Sequence, residues 1–231
     1  MTTEQQATAA MTTPDYEKAA LKAMDIIIQR RISSAPVSPM PILKSIPGVL
    51  VVSYAEMAVR AGLEREHIVT LFGEHNQDAV TSVKIGEDGK RRYFVVYNQR
   101  LPFYMLQRSL ARELGHIVLG HDGSRPESVR QEEALTFARH LLCPRPLIHA
   151  LQSSGVKLTV EVFGNITGCY ERCLAGIRKT PGVNVPAMLN RIVGAQFEEY
   201  VTNFLDFQRA VADEDETPEV DFGTYMDGYK E

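Results

Sequence analysis

Hydrophobic and polar positions follow two rhythms along the chain, and the changes of rhythm mark the elements. From Asp15, the segment DYEKAALKAMDIIIQRRI sets Leu21, Met24, Ile28 and Ile32 near a 3.6-residue spacing. That predicts an amphipathic helix with Asp15 as its cap. SSAPVSPMPILKSIPG (33–48) holds four prolines and reads as loop or linker. VLVVS (49–53) is a short buried strand, and YAEMAVRAGLEREHIVTLFGE supplies one or two short helices. AVTSVKI (79–85) and RRYFVVYN (91–98) flank Gly86-Glu87-Asp88-Gly89, the pattern of a β-hairpin. Leu101-Pro102 opens a helix that runs to about Leu119 and is stopped by Gly120. SVRQEEALTFARHLL gives a helix over 128–142 that ends before Cys143-Pro144. Further helices are predicted over 145–152, 158–164, 167–179 and 184–211, and no internal repeat is visible.

Composition narrows the class. The chain has 231 residues, 44% of them hydrophobic, enough for one or two compact domains. No apolar run reaches the roughly 18–20 residues that span a bilayer. The first twenty residues show neither a basic nor an apolar signal region, and three cysteines (Cys143, Cys169, Cys173) form no paired framework. These features predict a reduced, cytoplasmic setting with no membrane partner. The net charge is −4, and residues 212–231 contribute eight acids and one lysine, −7, leaving +3 for the rest. The predicted organisation is a loose leader (1–13), a domain over 14–150, a helical region over 151–211 and a disordered acidic tail over 212–231.

The chemistry lies on the helix after the hairpin, in SLARELGHIVLGHDG. A helix with His-Glu-x-x-His turns both histidines to one side, where they share a zinc ion with a third ligand. The glutamate between them takes a proton from metal-bound water. Here Glu113 and His116 stand at the second and fifth positions, and Arg112 stands at the first. A guanidinium is permanently protonated and has no lone pair for a metal. It also places a positive charge where a cation would bind.

FVVYNQRLPFYMLQRSLARELGHIVLGH and QEEALTFARHLLCP together resemble the ImmA/IrrE metallopeptidases, over about residues 49–180. In that family a strand ends in a Tyr-Asn-like turn and a helix carries His-Glu-x-Gly-His, followed by Leu-Gly-His. The next helix reads Glu-x-Glu-Ala-x-x-Phe-Ala. The resemblance implies an α+β zincin-like peptidase domain, with a small antiparallel or mixed sheet packed on the motif helix and a helical C-terminal region. It also implies Glu113 as general base, with His116 and Glu133 as zinc ligands and Glu132 as the alternative to Glu133. Arg112 is the departing ligand position. Zinc, the family's cofactor, is therefore expected to bind weakly or not at all here.

Other residues have plainer readings. His121 lies five positions after His116, off its helical face, and reads as a structural hydrogen-bonding histidine. His140, seven positions after Glu133, is about 10 Å along the axis and reads as a partly exposed helix residue. Cys169 and Cys173 read as core packing. Arg112 between Glu113 and Glu133 reads as an ionic substitute for the metal. The segment 158–179 has the outline of a helix-turn-helix, but its second helix is barely basic, so packing is favoured over DNA binding.

The family role implied is site-specific cleavage of a transcriptional repressor, in the service of mobile-element or stress genes. Strand 91–97 is expected to line the cleft and hold the partner, a repressor-type protein or extended peptide, as an added strand. Impaired or absent peptidase activity is the leading expectation. The alternatives are an active zinc enzyme with a substitute ligand and a DNA-binding regulator acting through 158–179.

Overall fold

The computed structural model describes residues 12–73, 78–168, 171–211 and 219–231. Cys169 lies outside them, as does the side chain of Cys173, so the packing expectation for this pair falls outside the described residues. In chain order the elements are α1 (Tyr16–Gln29), α2 (Pro39–Ser45), β1 (Val49–Ser53), α3 (Tyr54–Ala61), α4 (Arg65–Gly73), β2 (Ala79–Ile85) and β3 (Arg91–Tyr97). There follow α5 (Phe103–Val118), α6 (Glu127–Leu142), α7 (Arg145–Ser153), α8 (Val160–Thr167), α9 (Glu171–Arg178), α10 (Ala187–Gln196) and α11 (Glu198–Val211). A 3-10 turn at Gly223–Met226 comes last. No helix among the described residues is long and apolar enough to cross a membrane. The architecture is α+β, as the resemblance implies. The described residues form two compact units, one within 38–134 together with 12–14, the other within 15–37 and 135–231. The division falls inside α6, between Ala134 and Leu135.

The first unit is built on a three-stranded sheet in the order β1-β3-β2. β2 and β3 form the predicted hairpin, in which Gly89 takes φ +71° and the Gly86 amide donates to Lys90 O at 2.8 Å. β1 lies parallel to β3 with Val49 opposite Tyr93, and a parallel neighbour requires the long crossover that α3, α4 and β2 provide. β3 is thus the central strand. The expectation that 91–97 forms the edge of the cleft is corrected here: both sides of β3 are paired, β1 and β2 are the outer strands, and β2 is the one that borders the cleft. Val52 and Val96 are buried beneath Tyr54 and Ala58 of α3 and Ile68 of α4. α5 packs on the opposite face, and Leu110, Ala111 and Leu114 are buried along it.

The proline-rich stretch is not all loop. Pro39 to Ser45 is helical and buries Ile42 and Leu43. Its prolines fall in the first turn, where a missing N–H costs no intrahelical bond. α1 forms as predicted, with the Asp15 carboxylate accepting from the Lys18 amide at 2.9 Å.

The second unit is helical. α8 ends at Gly168, which takes φ +68° as its C-cap. The predicted disordered tail is corrected over 219–231. The Val220 amide donates to Leu158 O, Phe222 packs edge-to-face on Phe163, and Tyr225 is fully buried with its hydroxyl donating to Cys143 O at 2.6 Å. The buried Arg145 guanidinium donates to Val183 O, Met226 O and Asp227 O. Three large apolar side chains in this acidic stretch find a core, and that outweighs its charge.

His140 is also corrected, from partly exposed to buried, at 1% exposure. Its ring lies 4.9 Å from that of Tyr225, and neither ring nitrogen has a hydrogen bond among the described residues. Burial, together with the charges of Arg145 and Arg139, pushes its pKa down from 6.5 to about 3. The unfolded chain therefore binds a proton that the folded chain refuses, and stability falls as pH drops from about 6.5 toward about 3. The loss from this one group reaches about 2 kcal/mol at pH 5. Urea unfolding of the wild type and His140→Leu at pH 7 and pH 5 should show a smaller acid loss in the variant. An unchanged loss would place the proton uptake elsewhere.

Candidate functional site

α5 begins at Pro102, carries the motif in its last two turns, and ends where Gly120 takes φ +72°. Gly115 is buried within it. Arg91 at the start of β3 pins the turn, donating to Gly120 O at 3.1 Å and to Asp122 at 2.9 Å. These contacts bring His121 back toward the helix. The result is a polar cleft of about 430 Å³. It is lined by Ala79, Thr81 and Val83 of β2, by Arg112, Glu113 and His116 of α5, and by Arg130 and Gln131 of α6.

All four sequence-predicted positions belong to this unit, and they separate into two clusters. In the first, Arg112 donates to Glu113 Oε1 from Nη2 at 2.7 Å and from Nε at 3.0 Å, and Nη2 also reaches Ala79 O at 2.8 Å. Glu113 is 2% exposed, so burial raises its carboxyl pKa, while Arg112 and Thr81 hold it back. In the second cluster, Glu133 receives Arg125 Nη1 on Oε1 and His121 Nε2 on Oε2. His121 Nδ1 lies 2.8 Å from His116 Nδ1. The expected Arg112 bridge from Glu113 to Glu133 does not form. Arg112 serves Glu113 and the edge of β2, and Arg125 is the cation at Glu133.

The proton directions in the second cluster follow from its surroundings. Burial, then the His121 charge, then Arg112 depress His116 to about 3, and burial lowers His121 as well. Both rings are therefore neutral near pH 7. Glu133 only accepts, so His121 gives it the Nε2 proton and takes the His116 Nδ1 proton on its own Nδ1. His116 Nε2 is left as an acceptor. The hydrogen-bonding role read for His121 holds, and it joins His116 to Glu133. Arg125 is the member that sequence reading missed. It stands between two helices in a Gly-Ser-Arg-Pro turn, and only the fold places it against Glu133.

The donor set does not fit a zinc ion. Both Glu133 oxygens are taken by protein donors, His116 offers one nitrogen, and Arg112 offers none. Among the described residues no group of three or more His, Cys, Asp or Glu converges as a metal site.

The fold and site together define the class: a zincin-like α+β domain whose motif helix flanks a mixed sheet. Residues 65–167 match the family model of the IrrE N-terminal-like domain, Peptidase_M78. Over these residues the chain carries an IrrE N-terminal-like domain, the type found in the ImmA/IrrE metallopeptidases. No curated protein and no solved structure matches the chain.

Removing the cation beside buried Glu113 has a defined consequence. Arg112→Ala should lower stability by about 1–3 kcal/mol at pH 7, because the carboxylate loses its charge-assisted partner. The carboxyl, already raised by burial, is then raised further, so the deficit should shrink below about pH 4, where both states are protonated. Adding Glu113→Gln should restore part of the loss. Denaturant unfolding of the three proteins at two pH values measures this, and an additive double variant would show that the pair is not coupled.

Proposed function

We propose that this chain is a regulatory binding protein on a metallopeptidase scaffold, one that holds an extended segment of a repressor-type protein without hydrolysing it. The Arg112–Glu113 pair carries the reading. It places a fixed positive charge at the first ligand position and ties up the residue that would serve as general base. A water molecule beside Glu113 gains no Lewis acid from these side chains, so nothing there lowers its pKa toward neutrality.

Binding needs only a strand edge, and β2 offers one. The Asp78 carbonyl accepts from Asn98, and Gly86 bonds Lys90, so even-numbered residues of β2 face β3. Odd-numbered residues turn their amides away from the sheet. Ala79 O is already occupied by Arg112, and Thr81 lies beside Glu113. The stretch open to an added strand therefore runs from the Thr81 carbonyl through Val83 to Ile85. Arg112 in this way both replaces a ligand and shortens the usable edge.

One observation favours an active zinc enzyme with a substitute ligand: His116 keeps Nε2 as an acceptor while its Nδ1 is hydrogen-bonded, as a metal-binding imidazole does. Elemental analysis separates the two readings. The purified protein should carry far less than one zinc per chain, and Arg112→His should raise the content sharply. Near-stoichiometric zinc in the unaltered protein would overturn the proposal.

The edge is tested by Val83→Pro. Its outward amide is not used inside the sheet, so the fold should survive, while affinity for an extended repressor-derived peptide should fall by about tenfold or more. Fluorescence anisotropy with a labelled peptide reads this out, and equal affinity in the variant would exclude strand addition at β2.

A further inference from the structure

The sheet face opposite α5 is covered over only part of its length. Pairing aligns side chains on that face in rows across the strands. Val52, Val96 and Val80 form one row, and it lies under α3 and α4. Leu50, Phe94 and Ser82 form the next, and Leu50 is 45% exposed there. Arg92 opposite Lys84 forms the third, beside Gly48, which has no side chain to fill the space. A pocket of about 700 Å³ lies over the second and third rows, on residues that include Leu50, Phe94, Lys84 and Arg92. It lies on the other face of the sheet from the cleft of the motif helix, with Tyr93 bordering both.

We propose that this pocket docks an amphipathic helix of a partner protein, with an apolar side chain seated over Leu50 and Phe94 and a carboxylate about one turn away on Lys84 and Arg92. The charge is one-signed where the helix would lie. Arg92 has a single acid, Asp88 at 3.7 Å, with both side chains largely exposed, and Lys84 has no ion pair among the described residues. The form of the partner follows from the backbone. β3 is paired on both sides, so its amides are used within the sheet and only side chains are offered on this face. The outer strands β1 and β2 keep their edges at the two sides of the pocket, but the apolar and basic side chains stand on its floor, and a helix packs on such a face, as α3 and α4 do over the first row. Rows two residues apart are separated by about 6.7 Å, close to the 5.4 Å rise of a helical turn. An apolar residue and an acid at i and i+4 of one helix would match them. This inference does not rest on the reading of the cleft.

The test uses the full chain and a displayed library of helical peptides, with charge patterns varied around an apolar stripe. Selected peptides are then measured by fluorescence anisotropy against the wild type, Leu50→Asp and the Lys84→Glu, Arg92→Glu double variant. The expected result is selection of stripes flanked by Asp or Glu. Their affinity should fall about tenfold or more in both variants, and Glu→Lys peptides should regain binding to the double variant. Because the substituted residues are partly or largely exposed, unchanged circular dichroism and unfolding midpoints should accompany the loss. Arg112→Ala in the cleft should leave the affinities intact. Selection of no helical peptide, selection indifferent to the charge reversal, or capture of anionic vesicles in place of peptides would each overturn the proposal.

Discussion

A guanidinium beside a buried carboxylate sets the character of this cleft. Arg112 cannot shed its proton and cannot lend an electron pair, so the position that would hold a metal holds a fixed cation. Glu113 is buried enough to need that charge. Once the pair forms, the carboxylate points at its neighbour on the same helix and at β2, instead of at a shared water. The second cluster closes independently: Arg125 and His121 saturate both oxygens of Glu133, and His121 links it to His116. Two satisfied polar clusters thus occupy the ground on which one ion would have drawn the helices together.

The sheet order gives the domain its two unlike faces. With β3 in the centre, the side toward α5 presents a polar cleft bordered by the free edge of β2. The other side is an apolar surface that α3 and α4 cover over one row of side chains. One face borders a strand edge, where backbone groups are offered, and the other offers side chains alone.

The second unit shows how buried apolar groups override local charge. Eight acids in the last twenty residues argue for an unfolded tail, yet Val220, Phe222 and Tyr225 are spaced so that each reaches the helical core. Arg145 closes this arrangement by donating from both terminal nitrogens to three backbone carbonyls, so a buried cation meets dipoles in place of an acid. His140 stays neutral beneath Tyr225 because two arginines and burial all oppose its charging.

Much of the molecule was legible in the order of residues, because the determining forces were local. Spacing of apolar residues located α1, the hairpin, α5 and α6, and the Glu-Leu-Gly-His motif with its downstream helix pointed to the family. The identity of residue 112 alone said that its side chain has no lone pair for a metal, since the chemistry of guanidinium does not depend on where it sits. Other features were set by contacts distant in sequence. That β3 lost its free edge depended on β1 pairing in parallel with it, and no local pattern encodes that choice. Arg125 reached Glu133 only because a turn carried it there, so the fold decided which arginine meets which glutamate. The burial of His140 and the ordering of 219–231 likewise arose from a hydrophobic core assembled from segments more than eighty residues apart, where the energy of burial belongs to no single stretch of chain.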